Sequence, residues 1–376
     1  MTDVPVAAGG YAQLLPIYLQ EGMVVTGGTV SQHPWGSPAQ MGVVGHDSTD
    51  PSRKLLVVAQ EWPVHWLRSV DGIKQPELEW LHVQAFRNHC VIVTRQQPFT
   101  NVRGGADPPD VVVDVGDREV GMECMRLTIS ERQQAQARFR ALRTHVMKVQ
   151  PECFSALVGY VVYVWFTASD SGIDLPHRRG DDEAAEELVQ ALADYRPVPD
   201  ALWQPSGEMP QQGPDLHQHE TGAGATFYSA PLAGAAPASP LFVCAGFELA
   251  LAYTTVHDAD EEWQTLRAKI AEKDRDGNDW LLISAGAPDN HGTCYAVEET
   301  LADFLLDNPP VDDLHLTHLK GVTIHFWSTG KAVDLYPLIA PRFGPIFQGL
   351  APTHYSLCPV PTSVPEGRDA GDGATT

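Results

Sequence analysis

The sequence predicts an α/β protein, a mixed β-sheet flanked by helices with a C-terminal α/β extension. Three observations carry this expectation. Strand-like and helix-like segments alternate between about residues 51 and 350, as in chains that pack helices on a sheet. Two β-rich runs, "DVVVDV" and "EVGMECMRL", are separated only by "GDR", the signature of a β-hairpin. The chain of 376 residues is 43% hydrophobic and 19% charged, ordinary for a soluble globular protein long enough to bury a full core.

Residues 1–50 are rich in Gly, Pro, Ser and Thr without periodicity and read as a partly ordered N-terminal arm. Residues 51–170 form the predicted core. Within it "RKLLVVAQEW" reads as a strand or short helix. "QPELEWLHVQAFRNH" reads as a helix opened by Pro76, with apolar Leu78, Leu81, Val83 and Phe86 at helical spacing. "CVIVTR" is a short strand, and the hairpin follows. "ISERQQAQARFRALRTHVMKVQ" has no Pro or Gly and makes a helix, and "ALVGYVVYVWF" a strand apolar on both faces. Residues 171–240 hold an acidic helix, "DDEAAEELVQALADY", and a Pro/Gly-rich connector. Residues 241–350 hold "PLFVCAGFELALAYTTV" as a strand pair, the helix "DEEWQTLRAKIAEKDRDG", the strand "NDWLLISAG", the helix "YAVEETLADFLLDN" and the strand "LKGVTIHFW". Residues 351–376 read as a disordered tail.

Bulk chemistry narrows the function. A formal charge of −23 opposes nonspecific nucleic-acid binding across the whole surface, though not a local basic groove. The six cysteines form no CxxC pair and read as small buried hydrophobes. The longest apolar run, "ALVGYVVYVWF", is too short to span a bilayer, and the N-terminus lacks a signal-peptide pattern. A cytoplasmic protein with no membrane partner is the expectation.

The chemistry-bearing stretch is "PPDVVVDVGDREVGMECMRL", residues 108–127. Asp110 opens the first strand of the hairpin and Glu123 lies near the end of the second. Side chains alternate along a strand, so Glu123 and Met125 share a face while Cys124 and Arg126 share the other. A tight hairpin therefore brings the Asp110 and Glu123 carboxylates within reach of one divalent ion. Hard oxygen donors of this kind suit Mg²⁺ or Mn²⁺.

"PD" at Pro109 and Asp110, then "ExM" at Glu123 to Met125, with a helix before the hairpin and a helix and strand after it, resembles the PD-(D/E)XK nuclease superfamily. The segments from about Pro76 to Phe166 follow that superfamily's αβββαβ order, roughly a quarter of the chain. The resemblance implies a restriction-endonuclease-like fold and metal-dependent hydrolysis of phosphodiester bonds, with Mg or Mn as cofactor and nucleic acid as substrate. It implies Asp110 and Glu123 as metal ligands and catalytic residues, with Glu77 or Glu79 as a further acid; Glu79 is taken as the third ligand. It also implies a homodimer, since many nucleases of this fold act as dimers.

Met125 departs from the pattern, because it stands where the superfamily has a lysine that positions water and stabilises negative charge. A thioether does neither. A basic residue from the next helix, Arg132 or Arg138, is one replacement. Gln133 or Gln134, holding the water, is another. The third reading is a degenerate site on a fold kept for binding or regulation. The helix carries Arg132, Arg138, Arg140, Arg143 and Lys148 against Glu131, which makes Arg132 and Arg138 the candidate nucleic-acid contacts. Later in the chain, the helix with Leu266 and Ile270 packs that side on the sheet and turns Lys269 and Lys273 outward, Lys269 being a candidate for a phosphate-binding edge. His217, His219 and Glu220 in "HQHE" could bind a transition metal but sit in a connector. The alternatives to a nuclease are an inactive member of the same fold and an unrelated acidic α/β protein.

Overall fold

The computed structural model describes residues 23–32, 39–60, 65–66, 72–166, 181–197, 219–220, 225–231, 240–310 and 312–336. In chain order the elements are β1 (Met23–Gln32), β2 (Ala39–Asp47), β3 (Lys54–Gln60), β4 (His65–Trp66), α1 (Gln75–Thr94), β5 (Thr100–Gly104), β6 (Val111–Val115), β7 (Arg118–Arg126) and α2 (Ser130–Val146). A 3₁₀ turn (Pro151–Leu157), β8 (Tyr160–Phe166), α3 (Asp181–Asp194), β9 (His219–Glu220), β10 (Ala225–Pro231), α4 (Pro240–Ala245) and β11 (Glu248–Asp258) follow. The chain continues through α5 (Ala259–Lys273), β12 (Trp280–Ala285), β13 (Thr293–Cys294), α6 (Ala296–Asp307), β14 (Gly321–Phe326) and β15 (Ala332–Tyr336).

These strands build a seven-stranded sheet of order β1-β2-β3-β11-β8-β10-β9, a six-stranded sheet of order β15-β14-β12-β7-β6-β5, and the small pair β13-β4. The six-stranded sheet is mixed: β12 runs parallel to β7 on one side and β14 on the other, while its remaining pairings are antiparallel. On one face, Val83, Phe86 and Cys90 of α1 pack on Val111, Val113, Met122, Cys124 and Leu282. On the other, Leu281 and Ile283 join Trp263, Leu266 and Ile270 of α5 and Leu56 and Val58 of β3 in one continuous core. The helices of that layer tie the two sheets together, α5 packing on β3 and β11, and α6 on β12, β3 and β2. No helix among the described residues is long and apolar enough to cross a membrane.

Local sequence explains the elements that matter most. Pro76 sits in the first turn of α1, and the Lys74 N–H donates to the Glu77 carboxylate at 3.1 Å, closing the helix start. The β6–β7 hairpin turns in two residues at Gly116 and Asp117, with Val115 opposite Arg118 and Gly116 at φ +61°. That left-handed conformation costs glycine little.

Several elements differ from expectation. "CVIVT" is the last part of α1 rather than a strand; no Pro or Gly interrupts the run after Pro76, so the helix continues and ends only where Arg95 adopts φ +61°. Part of the N-terminal arm, β1 and β2, is an antiparallel pair on the seven-stranded sheet, with a register shift between Val25 and Gly27. Residues 240–258 form a short helix and one strand, not two strands. β15 carries no strong alternation and was not expected. Most consequential, β8 does not join the hairpin. It lies between β11 and β10 in the seven-stranded sheet, and the strand that pairs parallel with β7 is β12. The 351–376 tail falls outside the described residues.

Candidate active site

Asp110 and Glu123 are brought together by hairpin register. Val111 pairs with Met122, so the next antiparallel position sets residue 110 across from residue 123. The Asp110 carboxylate accepts a hydrogen bond from the Cys124 N–H at 2.9 Å, which fixes it against β7. Glu123 lies on the face opposite Cys124, and its side chain is buried, 6% exposed. Met125, on the same face as Glu123, packs into the core shared with α5. A lysine there would face apolar neighbours, and the positive charge comes from elsewhere.

It comes from α5. The Lys273 ammonium donates to Glu123 Oε1, across a sequence separation of 150 residues. The approach depends on a missing side chain. A Cβ at Gly121 would lie 2.0 Å from the Gly277 carbonyl oxygen, so the loop leaving α5 crosses β7 only because residue 121 is glycine. Asp279 then staples the crossing: its N–H donates to the Gly121 carbonyl at 2.9 Å, and its carboxylate accepts from the Gly121 N–H at 3.1 Å.

Electrostatics follow from crowding. Burial pushes the Asp110 carboxyl above its usual range, and the Glu123 charge adds to this, while the Cys124 N–H and Lys273 oppose it. Glu79, on α1, is also raised by burial and by the charges of Asp110 and Glu123, against a hydrogen bond from Gln75 at 2.7 Å and the charge of Lys273. Burial raises the Cys124 thiol well above its ordinary value, and the three carboxylates add to it, so it stays protonated. For Lys273, burial works to lower the ammonium's pKa, but the bond to Glu123 and the charges of Glu123 and Asp110 lift it above the ordinary lysine value. The site is a patch of surplus negative charge with one resident cation.

The helix after the hairpin does not serve this patch. α2 packs on α3 and β11, over the other sheet. Arg132 is 2% exposed, paired with the equally buried Glu298 and stacked 3.5 Å from the Tyr295 ring centre; a guanidinium so enclosed is no surface contact for phosphate, which corrects its expected role. Arg138 stacks on Phe166 at 4.6 Å, in the seven-stranded sheet. Gln133 is half-buried in the first turn of α2, its N–H donating to Ile129 at 3.0 Å, and does not join Asp110 and Glu123. Of the "HQHE" cluster, His219 and Glu220 form the edge strand β9, and His217 falls outside the described residues. Lys273, which sequence reasoning left facing water beside Lys269, is the residue that was missed. Its signal was position: the last residue of a helix leading into a buried strand.

Among the described residues, no group of three or more His, Cys, Asp or Glu side chains is arranged to hold a metal ion; Glu79 does not complete such a group with Asp110 and Glu123. The Asp110–Glu123 pair nevertheless fits a hard divalent cation. It offers carboxylate oxygens, and Glu123 Oε2 is buried without a hydrogen-bond partner. Mg²⁺ commonly takes only one or two protein carboxylates and fills its other positions with water and substrate. Comparisons with protein-family models, with curated proteins and with solved structures find no match to the chain.

Proposed function

We propose that this chain is a divalent-cation-dependent phosphodiester hydrolase of the restriction-endonuclease-like kind, acting on nucleic acid. The observation that carries the reading is the Lys273 ammonium on Glu123, beside Asp110, at one end of a mixed sheet. A methionine at position 125 thus does not leave the site without a cation. Element order supports the same reading once α2 through β11 is regarded as an insertion: α1, β5, β6, β7, then α5 and β12 parallel to β7.

Asp110 and Glu123 would hold Mg²⁺ or Mn²⁺, which when bound supplies positive charge to the scissile phosphate and acidifies water. The chain's own residues do the rest. The Cys124 N–H keeps Asp110 in place. Lys273 holds a donor where negative charge develops on the phosphoryl oxygens, an interaction stronger in the transition state than in the ground state. A bound cation would offset the crowding of carboxylates that raises Asp110 and Glu79.

The test is cleavage of plasmid DNA and of single-stranded DNA and RNA with Mg²⁺ or Mn²⁺. Asp110→Asn, Glu123→Gln and Lys273→Met should each lower cleavage by about 10²–10⁴-fold with unchanged circular dichroism. Cleavage that survives Asp110→Asn and Glu123→Gln would sink the proposal. The formal charge of −23 favours a second reading, an inactive binding or regulatory module of the same fold, because a polyanion is repelled at long range. That reading predicts no cleavage of any of these substrates by the wild type.

A further inference from the structure

We infer that Lys273 is an internal counter-ion which a divalent cation must displace from Glu123, so that cation entry releases the ammonium toward substrate. This rests on the reading of Asp110 and Glu123 as the cation's ligands. Glu123 is 4% exposed, one of its oxygens is taken by Lys273, and the other is buried without a partner. A divalent ion held by Oε2 would sit across the same carboxylate from the ammonium on Oε1. An ammonium and a divalent ion sharing one carboxylate repel each other strongly at contact distance, so the two cations compete.

The geometry decides which one moves. The backbone of Lys273 is anchored: its carbonyl accepts from Asn278 Nδ2 at 2.9 Å. The Asp274 carboxylate next to it accepts the N–H groups of Thr317, His318 and Leu319 at 2.7, 2.7 and 2.8 Å. The Lys273 side chain, in contrast, is 32% exposed and flexible. Displacement therefore swings the ammonium about a fixed Cα into the open side of the site, while Glu123 stays put.

Titration calorimetry of the full chain with MnCl₂ alone tests this. Lys273→Met should bind Mn²⁺ about three- to tenfold more tightly than wild type, the gain from removing a part-exposed competing ion pair. Lys273→Arg should return toward wild-type affinity. Equal or weaker binding by Lys273→Met, with wild-type binding lost in Glu123→Gln, overturns the counter-ion role and leaves the site intact. Undiminished binding in Glu123→Gln, or no binding in any variant, overturns the reading of the site itself. A measurement on the wild type needs no variant: saturating Mg²⁺ should raise reductive methylation of Lys273 several-fold relative to Lys269. Unchanged labelling counts against displacement.

Discussion

Two ion pairs in this molecule use similar chemistry in opposite settings. Arg132 and Glu298 are both 2% exposed, and the Tyr295 ring covers the guanidinium. Lys273 and Glu123 share the same kind of bond, but the ammonium is 32% exposed and its stem is free on one side. The first pair is sealed between α2 and α6 and serves to join them. The second has one member within reach of solvent.

The contrast breaks most sharply under mutation. Arg132→Met strands the Glu298 carboxylate, and should cost about 3–5 kcal/mol of stability in urea unfolding. The double variant Arg132→Met/Glu298→Leu should recover most of that, because it removes both charges. A single variant within about 1 kcal/mol of wild type would show that the pair does not join the two helices.

Next in size is the pH dependence near α6. Burial raises the Glu299 carboxyl to about 7, opposed by hydrogen bonds from Ser328. Its folded value lies above its unfolded one, so its contribution to stability is complete below about pH 4.5 and is lost as pH rises through about 7. Glu299→Gln should flatten the fall in stability between pH 5 and 8; an unchanged slope removes the assignment. On the acid side, burial lowers His82 to about 3 and His89 to about 4, with the Arg126 charge adding at His82. The stability they provide is present above about pH 6.5 and lost as pH falls through those values. His89→Gln should weaken the acid loss without touching the Glu299 limb.

The smallest expected effect is the one that defines the site. Lys273→Met should cost about 1–3 kcal/mol, because it leaves the buried Glu123 carboxylate without its ammonium, but less than Arg132→Met, because the cation removed is 32% exposed. A loss equal to that of Arg132→Met would make the two pairs equivalent and end the distinction.

Sequence patterns carried the local part of this structure and missed the distant part. The hairpin was legible because Gly116 and Asp117 interrupt two apolar-rich strands, and its register follows from that turn. The opposition of Asp110 and Glu123 came with it. Pairing between distant strands was not legible. An apolar run such as "YVVYVWF" satisfies any buried sheet position equally well, and nothing in its residues selects β11 over β7 as neighbour. The strand parallel to β7 is therefore β12 rather than the expected β8, and the cation on Glu123 stands on α5 rather than α2. "CVIV" misled for a related reason: β-branched residues favour strands on average, yet burial of Cys90 against the six-stranded sheet keeps them in α1.

The separation of 150 residues between Glu123 and Lys273 also sets a clock. On a ribosome adding about 5–20 residues per second, the carboxylate waits about 8–30 s for its partner to be made. Throughout that interval the hairpin exists without its cation, and the intervening chain supplies most of a second sheet. Completion of the pair thus follows synthesis of β8, β10 and β11, while the Arg132–Glu298 and His89–His325 contacts, whose second members lie further along the chain, close later still.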